Sequence, residues 1–456
     1  MMTQIILITF SLLFPFFLAL RKNEKALIYW ITIIIVVDIF NSQYFLNLSA
    51  IKLCSLALFP FSIKYLKEAA SSKSSFCLLL FLTLTASLGV YFGHIAPWED
   101  TTLARSFKDL PPMRVILHTG SLLLEVHLAV ALGLRLKKRQ NFKFLISALS
   151  HSFAFMILGA LIELIFHIDL YHLFTQGRAY LDPNRLRGFN YEPRGLAQAS
   201  AYALLLSPLI SSKIFRLFII TFSIILGFVY TMSVTGFVTL IMGLLIAIPF
   251  YFLTNRDHEQ RNKSIKVVAL STIILIGLTA LTFSLNQKLR NKFYYHLIDR
   301  AYIIQPGSLV SKLEVFDAAS MNFLLQNKSY LWLGTGPGLI YLPASPYIIE
   351  RDKKIWGDHF NALPHMGALL IIANTGLIGF TLWLLFIFFG FKVNWNYWKK
   401  YPTDPVTRQR LYLYTLTMLL YFLQIRYFVL IGIALTFLGS SKQYELDQKS
   451  DNNQLS

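Results

Sequence analysis

Two stretches of this chain gather the residue types that bind anions and move protons. The first runs Gly177-Arg178-Ala-Tyr-Leu-Asp182-Pro-Asn-Arg185-Leu-Arg187-Gly-Phe-Asn-Tyr-Glu192-Pro-Arg194-Gly and sets four arginines and two carboxylates directly before an apolar run. A guanidinium is costly beside hydrocarbon unless something anionic meets it, and its planar fork grips phosphate or carboxylate through paired hydrogen bonds. Arg185, Arg187 and Arg194 are therefore candidates for holding a phosphate or pyrophosphate that arrives on a lipid, with Glu192 as a candidate base. The plainer alternative is that these arginines pair with Asp182, Glu192 and lipid headgroups, as loop charges commonly do.

The second stretch reads Trp332-Leu-Gly334-Thr-Gly336-Pro-Gly338 and continues, after an interval, with Asp358-His359-Phe-Asn-Ala-Leu-Pro364-His365-Met. Pro364 fixes the backbone and His365 is expected to begin a helix, which sets an imidazole able to take and return a proton at the membrane surface. Around Gly336 the glycines let backbone N–H groups approach an anion, or simply make a tight turn. A dinucleotide site would need a preceding strand and a βαβ unit, and neither is present.

A third class of candidates lies inside apolar runs: Asp38, His118, Glu125, His127, His151, Glu163 and Arg426. A transporter would use such groups as a proton relay, whereas ordinary interhelical hydrogen bonding needs nothing more from them. Glu163 and Arg426 fall near helix ends, where they can support the loop site instead. Cys54 and Cys77 show no metal-ligand spacing and read as small apolar side chains.

What must position these residues is a lipid-solvated helix bundle. Hydrophobic residues make up 55% of the 456 positions and mean hydropathy is +0.55, against about 45–50% apolar content in soluble domains. Runs of about 20 apolar residues, the length that spans a bilayer, recur along nearly the whole chain. They fall near 3–20, 26–43, 47–63, 76–93, 114–134, 144–166, 195–212, 217–231, 235–253, 267–284 and 366–391. Leu411 to Leu438 is too long for one upright helix and is interrupted by Arg426, so it is expected to form a hairpin of two short helices. The expected fold is all-α, a polytopic transmembrane bundle of about 12–13 spans. Thr3–Leu20 lacks a basic leader and a small-residue cleavage site, so it reads as a retained span rather than a signal peptide.

A net charge of +19 belongs to the loops and excludes little except an acidic surface; nucleic acid is not the expected partner. Basic clusters at Arg21/Lys22/Lys25, Lys64/Lys67/Lys73, Arg135 to Lys143, Lys213/Arg216, Arg256 to Lys266 and Lys392 to Arg410 occupy alternate connections, which places them all inside. The first and third classes of candidate then separate: 167–194 and 286–365 are two long loops on the outer side, between transmembrane blocks 1–166, 195–285 and 366–439, and 440–456 is a polar tail inside. Ser311-x-x-Glu314 matches a capping box, and Leu313, Phe316, Phe323 and Leu324 follow at helical spacing, predicting an amphipathic helix along the membrane surface.

The order of these motifs resembles the O-antigen polymerase and O-antigen ligase superfamily. The resemblance rests on Arg187-Gly-Phe-Asn-Tyr-Glu192-Pro before a span, Gly334-Thr-Gly-Pro-Gly, Pro364-His365, and Ala373-Asn-Thr-Gly-Leu-Ile-Gly-Phe380 on the next helix, covering about half the chain. It implies a membrane glycosyltransferase of the GT-C type, in the bacterial inner membrane, that takes glycan from undecaprenyl pyrophosphate on the periplasmic face. No nucleotide sugar, metal or other cofactor is implied. By position, the resemblance assigns Arg187 and Lys312 to the donor pyrophosphate and makes His365 the essential histidine. Where the family usually has arginine this chain has Lys312, which keeps the charge without the fork, and Met366 follows the histidine where asparagine is common.

The expected activity is inverting transfer of lipid-linked repeat units into a surface polysaccharide, in lipopolysaccharide or exopolysaccharide synthesis. Ligation of finished glycan to a lipid or other acceptor would use the same donor end, and a transporter or flippase is the reading from another class. A glycan acceptor, a chain-length regulator and a flippase are the expected partners.

Overall fold

A chain this apolar can offer a bilayer only segments whose backbone hydrogen bonds close internally. The computed structural model describes residues 2–41, 49–62, 72–96, 107–175, 185–254, 313–350, 363–423 and 427–437, with a few isolated positions, and every regular element among them is helical. In chain order the helices are α1 Met2–Leu20, α2 Glu24–Val36, α3 Ala50–Ser62, α4 Lys73–Val90, α5 Pro111–Arg135, α6 Arg139–Phe166, α7 Leu170–Thr175 and α8 Pro193–Leu206. They continue as α9 Lys213–Ile224, α10 Val234–Thr254, α11 Val315–Gln326, α12 Lys328–Leu333, α13 Tyr341–Ala344, α14 Gly367–Lys400, α15 Pro405–Leu420 and α16 Val429–Thr436.

Among the described residues, four helical stretches, Lys73–Ile95, Pro111–Arg135, Arg139–Phe166 and Gly367–Lys400, are long and apolar enough to cross a membrane. Ile8–Leu20, Ala50–Ser62 and Val234–Phe250 are shorter apolar stretches. The run from Leu411 to Leu438 divides between α15 and α16, which pack on each other. The apolar run 267–284, the tail 440–456 and the side chains of Asp38 and Arg426 lie outside the described residues.

Contacts between distant connections sort the two ends of the bundle. At one end Arg135 Nε lies 3.4 Å from Glu24 Oε2 and Arg139 Nη2 lies 2.8 Å from Asp404 Oδ1, joining connections that carry the basic clusters. At the other, Arg185 Nε donates to the Thr231 carbonyl at 2.6 Å, and Arg114 Nε donates to the Gly338 carbonyl at 2.7 Å. Arg114 also lies face-on to the Tyr341 ring, 4.1 Å from its centroid.

That second end carries its own apolar core. Phe316, Phe323 and Leu324 from α11, Leu339 to Leu342, and Leu369 and Ala373 from α14 pack together with Val115 of α5. The helix expected along a membrane surface is therefore α11, but it is buried around most of its circumference, with Asp317 and Ser320 inside as well. It starts at Val315, so Glu314 is its N-cap residue rather than the third helical position of a capping box; Ser311 lies outside the described residues. The Glu314 carboxylate makes no capping bond because it is engaged elsewhere.

α14 is broken inside. Gly376 has φ 65° and ψ −171°, a conformation open in practice only to glycine, and a Cβ there would lie 2.0 Å from the Trp332 carbonyl oxygen. The carbonyls freed by the break are taken by the glycine turn: Thr335 N donates to Ala373 O at 2.8 Å and Gly336 N to Asn374 O at 3.2 Å. A break in an apolar helix is tolerated where its backbone groups find such partners.

Candidate functional site

Three helix N-termini meet at the loop end of the bundle: Pro193 opens α8, Val315 opens α11 and Gly367 opens α14. Each is preceded by an extended residue, Glu192, Glu314 and Met366 respectively. Proline at the first helical position needs no partner for its missing N–H, which lets the chain turn sharply from Glu192 into α8 and presents Arg194 on the first turn.

Arg194 is the hub. Its Nε lies 2.7 Å from Glu192 Oε2, its Nη1 lies 3.1 Å from Glu314 Oε2, and Nη1 and Nη2 lie 3.0 and 3.1 Å from Nδ1 and Nε2 of His365. Glu314 Oε2 also forms a short hydrogen bond with His365 Nδ1. Asp317, in the first turn of α11, accepts the backbone N–H groups of His365 at 2.8 Å and Met366 at 3.1 Å. That double bond explains why α14 starts at Gly367 and not, as the sequence suggested, at His365. The Phe316 ring and the imidazole meet in a T-shaped pair, 5.5 Å between centroids.

The electrostatics follow from burial set against these pairings. Burial works against the charge on Arg194, but Glu314 and Glu192 outweigh it and hold the guanidinium above its ordinary pKa. Burial likewise pushes Glu314 up, and the His365 hydrogen bond with the Arg194 charge brings it below the usual carboxylate value. For Asp317 burial wins: the Met366 amide opposes it, the Glu314 charge adds to it, and the carboxyl is raised. His365, Glu314 and Arg194 keep 33%, 41% and 27% of their side-chain surface exposed, so the cluster is partly open to its surroundings.

Glu314, Asp317 and His365 offer one ligand atom each within 4.8 Å of one another, a spacing that a metal ion could use. The Arg194 guanidinium, however, already supplies a positive charge within hydrogen-bonding distance of two of the three. Like-charge repulsion therefore works against a cation there.

Arg187 sits elsewhere. Its Nε donates to Asp169 Oδ1 at 3.0 Å, its Nη2 pairs with Asp169 Oδ2, its Nη1 donates to the Tyr191 carbonyl at 3.1 Å, and only 2% of the side chain is exposed. Its backbone N–H and that of Gly188 both donate to the Glu163 carboxylate, which clamps the first loop onto the end of α6. Gly188 has φ 56° and lies so close to Ala160 that a Cβ would meet its backbone nitrogen at 2.9 Å. Glu163 thus supports the loop, while Arg185 fastens it to the turn before α10. Gly336 uses its N–H on α14 and serves the helix break. Lys312 and His359 lie outside the described residues.

Of the sequence candidates, then, Arg194, Glu192 and His365 come together, and Arg187, Arg185 and Gly336 hold the scaffold. Glu314, Asp317 and Asp169 were not among the candidates. Asp169 carries a helix-start signal in sequence, since its carboxylate caps the His172 N–H at 3.0 Å, but its pairing with Arg187 depends on the fold. Two of the other embedded groups have structural partners: His127 bonds Ser55 at 2.8 Å and Ser62 at 2.6 Å, tying α5 to α3, and His151 bonds the Ser147 carbonyl within α6.

No protein-family model matches this chain, and no curated protein matches it.

Proposed function

We propose that this chain is a polytopic membrane glycosyltransferase that polymerises repeat units carried on a polyprenyl diphosphate into a surface polysaccharide. In this reading about 12–13 spans cross the bacterial inner membrane and the Arg194–Glu314–His365 cluster works on its periplasmic face. The observation that carries the proposal is the arrival of an arginine, a carboxylate and a histidine from three separate elements at one partly exposed place.

The chemistry needs two services from the protein. An acceptor sugar hydroxyl attacks the anomeric carbon of the donor, the new C–O bond forms on the face opposite the diphosphate, and the bond to the diphosphate breaks. The leaving diphosphate carries off the electron pair, and its charge is met by Arg194 and by the positive ends of α8, α11 and α14. Lys312, two residues before Glu314 in sequence, would add to that field. His365 takes the hydroxyl proton and passes it to water. Glu192, bound to Arg194 Nε, holds the guanidinium in place as the diphosphate approaches. Arg194 takes the donor role that the resemblance gave to Arg187, because Arg187 is enclosed and its nitrogens are already paired.

Incubating the purified protein with a lipid-diphosphate-linked repeat unit, with and without a separate acceptor lipid, tests this reading. A ladder of chain lengths without the acceptor lipid is the expected result. A single product that needs the acceptor would make the protein a ligase at the same site, and an untouched donor in both mixtures would contradict transfer chemistry.

A further inference from the structure

We infer that Glu314 sets the working tautomer of His365, drawing the Nδ1 hydrogen to itself and leaving Nε2 as the atom that takes the acceptor's proton. The chemistry of this step rests on the transferase reading above; the geometry does not.

A neutral imidazole carries one N–H and one lone pair, and whichever nitrogen has an obligate acceptor beside it keeps the hydrogen. Glu314 Oε2 lies against Nδ1. An ionised carboxylate can only accept, and the Arg194 charge beside Glu314 favours the ionised form. Nδ1 must therefore donate.

Arg194 does not compete for that arrangement. Its Nη1 and Nη2 approach Nδ1 and Nε2 at 3.0 and 3.1 Å, but the two in-plane directions of an imidazole diverge on either side of the Cε1–H. One planar guanidinium cannot enter both directions at once. Nη2 points a hydrogen at Nε2, which requires Nε2 to carry the lone pair, while Nη1 gives its hydrogens to the Glu314 carboxylate at 3.2 and 3.1 Å. A substrate hydroxyl reaches that lone pair in place of Nη2, once the arriving diphosphate takes over the guanidinium.

The ring is also held in position from the same helix. Asp317 fixes the backbone of His365 and Met366, and Phe316 forms a T-shaped pair with the imidazole. Three residues of the first turn and cap of α11 therefore determine where His365 sits and which nitrogen faces outward. During transfer the hydroxyl hydrogen moves to Nε2 as the glycosidic C–O bond forms. The resulting imidazolium shares its Nδ1 hydrogen with Glu314 until Nε2 releases the proton to water. Glu314 acts through His365 and is a positioning residue.

The test uses the full chain in lipid bilayers, labelled with ¹⁵N histidine, and a His365→Ala sample identifies the His365 signals by difference. At neutral pH the wild-type protein should show a protonated Nδ1 and a bare Nε2. Glu314→Gln, whose amide can donate to Nδ1, should populate the opposite tautomer. In transfer assays with the lipid-linked repeat unit, Glu314→Gln should lower kcat by about 10²- to 10⁴-fold, with a much smaller change in KM. Glu314→Asp should recover part of the loss. An Nε2–H tautomer in the wild-type protein, or undiminished kcat in Glu314→Gln, overturns the inference. A wild-type protein that leaves the donor untouched overturns the transferase reading instead, and the spectrum still decides the role of Glu314.

Discussion

Arg194 and Glu314 are 120 residues apart in sequence, yet one guanidinium nitrogen, Nη1, lies 3.2 and 3.1 Å from the two carboxylate oxygens. The other two nitrogens serve different residues, Nε on Glu192 and Nη2 on His365 Nε2. A single side chain thus ties the first loop, the cap of α11 and the start of α14 together.

Lysine keeps the charge of Arg194 but cannot reach three partners from one planar fork. Arg194→Lys should therefore lower kcat/KM for the lipid-linked donor by about 10²-fold, and Arg194→Ala by more. Steady-state rates over a range of donor concentration check this; a lysine variant with wild-type kcat/KM would show that only the charge matters.

Arg187 should behave differently. Removing a nearly enclosed guanidinium leaves Asp169 and the Tyr191 carbonyl without their donor, at a cost of about 2 kcal/mol. Arg187→Ala should lower the unfolding temperature and the yield of folded protein in detergent. Material that does fold should retain donor binding. Full stability with lost donor binding would return Arg187 to the site.

How much of this was visible in the sequence depends on the range of the interaction. Apolar runs and their basic boundaries are local, so α1, α5, α6 and α10 lie within a few residues of their expected positions. Arg194, Glu192 and His365 stood out because charge beside an apolar run is costly and visible. Arg187 looks the same as Arg194 in sequence; what separates them is Asp169, which reaches Arg187 only once the chain turns back after α6. Glu314 read as a helix cap because its partners, Arg194 and His365, are 120 and 51 residues away. Asp317 carries no signal in the sequence, because the amides it accepts, those of His365 and Met366, are 48 and 49 residues away.

The two carboxylates of α11 should give opposite pH signatures. Glu314 is held below its ordinary value of 4.5, so its contribution to stability is present above that value and is lost as pH falls through the lower, folded-state one. Asp317 is raised above 3.8, so its favourable contribution is present below that value and is lost as pH rises through its folded-state value. Thermal unfolding in detergent across acid and neutral pH should show Glu314→Gln with a flattened acid limb. Asp317→Asn, whose carbonyl can still accept both amides, should be at least as stable as wild type at neutral pH. An unchanged acid limb in Glu314→Gln would contradict the pairing.

Gly376→Ala places a methyl 2.0 Å from the Trp332 carbonyl at a backbone conformation alanine avoids. The strain, with the displaced glycine turn, should cost about 3 kcal/mol or more and lower the folded yield sharply. Size-exclusion profiles of the two proteins measure the outcome, and an equally abundant, monodisperse alanine variant would argue against the break in α14.

Transfer at the Arg194–Glu314–His365 cluster is measured most directly by following polysaccharide in producing cells whose only copy carries His365→Ala or Arg194→Ala. Polymer should disappear while lipid-linked repeat units still reach the outer leaflet and accumulate there. Polymer of normal amount and chain length in both variants would contradict transfer at that cluster.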